Sequence, residues 1–223
     1  LRALKMHGGV PKQELNTENV EAVTKGFSNL QKAIENMRYF NVPVLVAINK
    51  FASDTDAEIA ELTRLCDEFG VPVELNECWE KGGEGGTDMA KKVVELLEGP
   101  KPVPKFVYDL EDSLEDKVNK IVKTIYGGDG VIFTDKAKKQ IKQLADWGLD
   151  RLPVCMAKTQ YSLSDNPALL GAPTGFTITV SDIRVANGAG FIVCRTGDVM
   201  VMPGLPKRPA ALNMDIEADG TIK

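Results

Sequence analysis

Residues 42–48 have the sequence Val42-Pro43-Val44-Leu45-Val46-Ala47-Ile48, the longest apolar run of the chain. Successive residues of a strand point to opposite faces of its sheet, so this run is apolar on both faces. That pattern is typical of a parallel sheet covered by helices. The run is far shorter than the roughly 20 residues that a membrane-spanning helix needs. It therefore predicts a buried strand, and we expect no membrane association.

A helix is predicted on each side of this strand. Upstream, Asn16 or Thr17 can cap a helix whose apolar residues recur in steps of three and four, namely Val20, Val23, Phe27, Leu30, Ile34 and Met37. Downstream, Thr55 followed by Glu58 has the form of a capping box, and Gly70 is expected to end that helix. Helix and strand thus alternate along the chain, which predicts an α/β fold.

The same alternation continues further along the chain. A second strand is predicted at residues 71–75, and the loop 80–86 leads to a helix capped by Thr87. Three prolines at residues 100–104 can continue neither a helix nor a central strand, so we predict a domain boundary at residue 100. The predicted domains are residues 1–100 and 101–223.

The second predicted domain has a different character. We expect strands at 106–110, 130–133 and 152–157 and helices at 114–126 and 135–147. Short β-rich runs follow at 176–180, 183–185, 191–194 and 199–202, separated by Gly and Asp turns. These runs predict an antiparallel α+β domain.

Composition excludes several classes of protein. Lys and Arg total 27 against 32 Asp and Glu, and the basic residues are scattered, so we expect no nucleic-acid partner. The 4 cysteines lie far apart, which fits neither a zinc site nor a disulfide scaffold and favours a cytoplasmic location. The chain starts at Leu1 without a signal peptide, and we expect it to be part of a longer protein.

Two aromatic residues follow the predicted strands at their carboxyl ends, where ligands of open α/β sheets usually bind. Phe51 comes after Asn49-Lys50, and Trp79 follows the second strand. Two such rings can sandwich a flat heterocycle, each face contributing about 1 kcal/mol. Alternatively, Phe51 packs at a strand end behind a capping Asn49, and Trp79 is a core or hinge anchor, which is the simpler interpretation of that residue alone.

Other segments have two interpretations as well. The glycines between residues 82 and 86 can present backbone N–H groups to an anion, but Glu84 lies among them and no Walker pattern is present, which favours a hinge. The polar loops 156–162 and 203–209 can meet a phosphate or a carboxylate, or be ordered solvated loops. His7 is the only histidine, which favours a structural role.

Ordered phrases across the whole chain resemble the formate–tetrahydrofolate ligase family, also called formyltetrahydrofolate synthetase. They are Arg2-Ala3-Leu4-Lys5-Met6-His7-Gly8-Gly9, Phe51 and Trp79 with Lys81-Gly82-Gly83-Glu84-Gly85, residues 155–162 and residues 203–211. The resemblance implies that residues 1–100 are the carboxy-terminal part of a parallel-sheet domain like those of P-loop NTPases. Residues 101–223 would then form the α+β carboxy-terminal domain.

The resemblance also implies a reaction and its cofactors. In the family, ATP with Mg²⁺ phosphorylates formate, and the amine of tetrahydrofolate attacks formyl phosphate to give 10-formyltetrahydrofolate. A monovalent cation often activates the enzyme, which is a homotetramer. The phosphate-binding loop, its lysine and the arginine near formyl phosphate match no position here, so we assign no catalytic residue, cofactor-binding residue or metal ligand.

Three positions carry over from the family to this sequence. Phe51 and Trp79 match the aromatic pair that sandwiches the folate ring, and Leu75 is expected to line the same cleft. Lys50 stands where the family commonly has Ala, a change that is expected to alter the local charge without disturbing the stack.

Two hypotheses follow from the resemblance. In the first, the chain supplies the folate platform of the ligase and becomes active only with the amino-terminal part. In the second, it is a folate-binding or subunit-assembly module without catalysis.

Overall fold

The computed structural model describes residues 1–197, 199 and 206–222. These residues form the helices α1 (Arg2–His7), α2 (Val20–Tyr39), α3 (Asp56–Glu68), α4 (Cys78–Lys81), α5 (Thr87–Leu97), α6 (Leu114–Ile121) and α7 (Asp135–Asp146). The strands are β1 (Val46–Asn49), β2 (Val73–Asn76), β3 (Gly130–Phe133), β4 (Val154–Ala157), β5 (Thr177–Ala186) and β6 (Phe191–Thr196). Short 3₁₀ turns lie at Lys12–Glu14, Gly82–Gly86 and Ala210–Asn213, and a π-helical turn at Val122–Tyr126 extends α6.

The predicted parallel pairing of the first two strands is confirmed, but β1 is shorter than predicted. Strands β1 and β2 run parallel over four residue pairs. The ladder starts where Val46 N donates to Pro72 O over 2.9 Å, so β2 offers no partner to residues 42–45. Apolar side chains of this sheet and of α1, α2 and α3 form one core cluster, whose buried members are Leu4, Val23, Phe27, Ile34, Val46, Ile48, Leu62, Cys66 and Val71.

The first turns of α2 and α3 follow capping rules, with a correction at α2. Helix α2 is capped by Asn19 rather than by Asn16 or Thr17, and Asn19 Oδ1 accepts from Ala22 N over 2.9 Å. The capping box of Thr55 and Glu58 at the start of α3 is confirmed.

Glycines act at the helix ends as well. Gly70 follows α3 with φ 68°, a left-handed conformation that glycine adopts without strain, so the predicted end of that helix is confirmed. Thr87 is the first residue of α5 rather than its cap, which is Gly86. The sequence predicts a loop at residues 80–86, but this segment forms the end of α4 and a 3₁₀ turn.

The second sheet is mixed, so the predicted antiparallel arrangement is wrong. Its strand order is β3-β5-β6-β4, in which β3 pairs parallel with β5, β4 pairs parallel with β6, and only β5 and β6 are antiparallel. Helices α6 and α7 cover this sheet. The buried core of this part consists of Leu114, Val118, Val122, Ala137, Ile141, Leu144, Phe176, Ile178, Val180, Ile183, Ile192 and Cys194.

Some predicted elements of this part are confirmed, and others differ in the structure. The strand at 130–133 and the helix at 114–126 are confirmed, the latter ending in the π turn. The strand at 106–110 is wrong: that segment is irregular, and the hydroxyl of Tyr108 accepts from Val154 N over 2.9 Å in place of a ladder. The runs 176–180 and 183–185 form the single strand β5, which is irregular between Val180 and Asp182.

The predicted strand at 199–202 and the first part of the loop 203–209 lie outside the described residues, except Val199. Among the residues that are described, no helix combines the length and apolar content that crossing a membrane requires.

Side chains of α1 and α2 contact backbone atoms that belong to the second part of the chain. Asn36 Nδ2 donates to Ile125 O over 2.8 Å, and Lys32 Nζ donates to Thr124 O over 3.0 Å. Asn29 Nδ2 donates to Gly171 O over 2.9 Å. Direct hydrogen bonds therefore join α2 to the second part of the chain, while the division at residue 100 stays a prediction.

Candidate functional site

The carboxyl ends of β1 and β2 meet at one edge of the two-stranded sheet. Their last residues, Asn49 and Asn76, are partners in the parallel register. Asn76 Nδ2 donates to Asn49 Oδ1 over 2.7 Å, and Lys50 N donates to Asn76 O over 3.1 Å. These bonds hold the two segments that leave the strands side by side, at the edge where α/β sheets bind ligands.

Phe51 lies on the segment that leaves β1. The residue is 42% exposed, although its own backbone N–H and C=O groups are both hydrogen-bonded. Phe51 N donates to Asp54 Oδ2 over 2.9 Å, and Asp54 N donates to Phe51 O over 2.9 Å. The residues from Phe51 to Asp54 thus form a hydrogen-bonded turn, which fixes the backbone of Phe51 while its apolar side chain stays accessible to solvent.

Trp79 lies on α4, directly after β2. Trp79 is 78% exposed, so the core-anchor interpretation of this residue is wrong. In the described part of the chain the close ring pairs are Phe27–Phe69 and Tyr39–Phe40, so the rings of Phe51 and Trp79 are not packed against each other. Both predicted aromatic residues are therefore presented near one edge with their faces free of aromatic partners.

Glu77 links the two segments. Its carboxylate pairs with Lys50 Nζ at 3.3 Å and with Lys81 Nζ at 2.7 Å. The hydrogen bond from Lys81, and secondarily that from Lys50, holds the pKa of Glu77 below its ordinary value. Lys50 is thus engaged in an ion pair next to Phe51 and brings little unpaired charge to the edge.

The glycine-rich turn has a packing reason for two of its glycines. A Cβ at Gly85 would lie 2.5 Å from the carbonyl of Glu77, and one at Gly86 would lie 2.7 Å from Cys78 Sγ. Glu77 N also donates to Gly85 O over 3.0 Å. The turn is wound closely onto the start of α4, which supports a structural role for its glycines.

Leu75 lies on β2, one residue before the strand end, and pairs in register with Ile48. Its side chain is partly buried and packs against the first core cluster. It therefore lies beneath the edge that carries Phe51 and Trp79.

The other candidate residues have structural partners. His7 Nδ1 accepts from Gly171 N over 3.1 Å, which supports the structural interpretation of this histidine. In the loop 156–162, Lys158 Nζ donates to Thr159 O over 2.8 Å and to Ser162 O, and it lies 5.1 Å from the centre of the Tyr126 ring. Burial lowers the pKa of Lys158. An ordered loop explains these contacts.

The sequence patterns do not predict two residues of this edge, Asp54 and Glu77, as parts of the site. A partial signal for Asp54 is present, because Asp three residues after Phe51 and directly before the Thr55 cap fits a turn. Glu77 has no such signal, since its partner Lys50 lies on another strand end.

The whole chain matches one family model. The model describes formate–tetrahydrofolate ligase and matches residues 1–223. The chain belongs to the formate–tetrahydrofolate ligase family. The resemblance found in the sequence is thereby confirmed, and with it an ATP-dependent ligase family that uses formate and tetrahydrofolate. In this member of the formate–tetrahydrofolate ligase family, Phe51 and Trp79 are both exposed on the segments that leave the paired strands β1 and β2.

Proposed function

We propose that the chain is the carboxy-terminal part of a ligase that forms 10-formyltetrahydrofolate, and that it supplies the platform on which the pterin ring stacks. One observation carries the proposal: Phe51 and Trp79 expose their rings on segments that leave neighbouring parallel strands. Exposed aromatic faces gain most from a flat, polarisable ring, and pterin is such a ring. Leu75 would line the bottom of the same cleft.

In the proposed reaction, ATP phosphorylates formate, and the amine of tetrahydrofolate attacks the carbonyl carbon of formyl phosphate with release of phosphate. Stacking between two rings would orient the folate and exclude water from both faces of the pterin. Such orientation lowers the entropic part of the barrier for the attack. This chain therefore contributes binding and positioning rather than proton transfer.

We place ATP, Mg²⁺ and the phosphate-binding loop in the amino-terminal part of the same enzyme. The chain contains no Gly-x-x-x-x-Gly-Lys-Ser/Thr sequence, and in the glycine-rich turn Gly85 and Gly86 are packed against the start of α4. We expect a homotetramer in the cytoplasm, and no ligase activity from this chain alone. A monovalent cation is expected to activate the complete enzyme.

Tryptophan fluorescence tests the proposed platform directly. The chain has 2 tryptophans, Trp79 and Trp147, and both are exposed. Titration with a tetrahydrofolate analogue is expected to quench the signal saturably in the Trp147→Phe variant and to leave the signal of the Trp79→Phe variant unchanged. Absence of quenching from a folded chain would show that the platform does not bind folate by itself.

The alternative is a folate-binding or subunit-assembly module without catalysis. It is favoured by the missing phosphate-loop sequence. Formate-dependent ATP turnover, measured after the amino-terminal part is supplied, distinguishes the two. Turnover that requires this chain supports the ligase, and its complete absence supports the non-catalytic module.

A further inference from the structure

The turn that carries Phe51 is closed by one carboxylate. Asp54 Oδ2 accepts from Phe51 N over 2.9 Å, while Asp54 N donates to Phe51 O over 2.9 Å. Side chain and backbone of one residue thus satisfy both backbone groups of Phe51. Hydrogen bonds to a charged acceptor are stronger than neutral ones, so this carboxylate restricts the backbone of Phe51 more than an ordinary turn does.

Asp54 is buried although the ring it supports is exposed. Only 7% of Asp54 is accessible, and its second oxygen, Oδ1, has no hydrogen-bond partner within the described residues. Burying a carboxylate oxygen without a partner opposes folding. Apolar packing alone therefore does not account for a carboxylate at this position, whereas the hydrogen bond to Phe51 does.

The residues that follow this turn are bound to buried side chains of the first part of the chain. Thr55, the next residue, forms the capping box with Glu58. Glu58 Oε1 pairs with Lys5 Nζ at 2.9 Å, both side chains are fully buried, and the same oxygen accepts from Asn19 N over 2.8 Å. The segment from Phe51 to Glu58 is thereby tied to α1 and to the start of α2.

We infer that Asp54 is a positioning residue for folate: it holds the backbone of Phe51 in the conformation that presents the ring to the pterin before the ligand arrives. Preorganisation of this kind improves affinity because less ordering remains to be done on binding. The inference rests on the proposed stacking function of Phe51. It adds that the affinity depends on a residue whose carboxylate is buried away from the ligand.

The test compares Asp54→Ala, Asp54→Asn and Phe51→Ala in the complete ligase. Asp54→Ala is expected to raise the KM for tetrahydrofolate about tenfold, as the loss of one charged hydrogen bond implies, with little change in the KM for ATP. Asp54→Asn keeps an acceptor oxygen in the same shape but loses the charge, so its KM for tetrahydrofolate is expected to lie between those of wild type and Asp54→Ala. Ser53→Ala, in the same turn, is the matched control and should behave as wild type.

The KM values for tetrahydrofolate separate failure of the role of Asp54 from failure of the proposed platform. A normal KM for tetrahydrofolate in Asp54→Ala, or equal rises for tetrahydrofolate and ATP, overturns the positioning role. If Phe51→Ala also leaves that KM unchanged, the proposed platform has failed; if it raises the KM while Asp54→Ala does not, only the role of Asp54 has failed. Should Asp54→Ala lower the melting temperature, binding of the folate analogue measured well below that temperature gives the same decision.

Discussion

The exposed ring of Trp79 is the residue on which the proposed stack depends most directly. Trp79→Ala is expected to weaken binding of a folate analogue by about 1–3 kcal/mol, because a stacked ring is lost. The melting temperature should change little, since the side chain is 78% exposed. Equilibrium titration and thermal unfolding check the two halves of this prediction.

Trp147 provides the matched control for that substitution. Its side chain is also exposed, at the end of α7 and in the second part of the chain. Trp147→Ala should leave folate binding unchanged. If Trp79→Ala reduced stability and binding together, the ring would have a packing role instead.

His7 predicts a pH dependence of stability. Burial lowers the pKa of His7 below 6.5, and its Nδ1 accepts a hydrogen bond from Gly171 N, which requires the unprotonated nitrogen. The unfolded chain then binds more protons than the folded chain as the pH falls below 6.5, so this contribution to stability is present above 6.5 and lost on acidification.

Urea unfolding at several pH values between about 5 and 8 measures this contribution. The free energy of unfolding of wild type is expected to fall on acidification more steeply than that of His7→Gln, which can still accept from Gly171 N but does not titrate. His7 is the only histidine, so the difference between the two curves belongs to it. Parallel curves would contradict the prediction.

Strand β1 is the element that the first core cluster surrounds. Ile48 is almost fully buried in that cluster, whereas Val44 is partly buried and precedes the strand. Ile48→Ala is expected to lower the free energy of unfolding by about 2–4 kcal/mol, since it leaves a cavity, and Val44→Ala by less than about 2 kcal/mol. Chemical denaturation measures both values.

An exposed residue on a neighbouring helix serves as the control for these cavities. Val94 lies on α5 and is mostly exposed, so Val94→Ala should change stability by less than about 0.5 kcal/mol. Equal losses for Ile48→Ala and Val44→Ala would mean that the sheet is packed differently from the arrangement described above.

At the scale of the whole molecule, hydrogen bonds from α2 join the first part of the chain to the second. Asn36, which is buried, donates to Ile125 O, and Lys32 donates to Thr124 O. Asn36→Ala leaves a carbonyl without its partner and is expected to cost about 1–3 kcal/mol. Combined with Lys32→Ala, it should make the two parts of the chain unfold at different denaturant concentrations.

The two tryptophans report on the two parts separately. Fluorescence of Trp79 in the Trp147→Phe background follows the first part, and fluorescence of Trp147 in the Trp79→Phe background follows the second. Coincident transitions are expected for the parent chain and separate transitions for the double substitution. Gln31→Ala, which removes a bond within α2 only, should leave the transitions coincident.

Local patterns in the sequence predict the features that arise within one or two turns of chain. The capping box of Thr55 and Glu58, the end of α3 at Gly70 and the strand at 130–133 depend on neighbouring residues, and all three predictions are confirmed. The family also follows from the sequence, because runs of consecutive residues can be matched to a family without a structure. The placement of Phe51 and Trp79 after the first two strands follows from the sequence as well.

Tertiary structure alone decided the features whose partners lie far along the chain. Asn19 caps α2 because its backbone N–H meets the Glu58 carboxylate from another helix, and β1 is short because β2 begins its pairing only at Pro72. The mixed order of the second sheet likewise depends on which strands meet. The sequence therefore determined local conformation and family. Strand pairing, burial and the ion pair of Glu77 with Lys50 required the fold, since hydrophobic periodicity states which face is buried but not what lies against it.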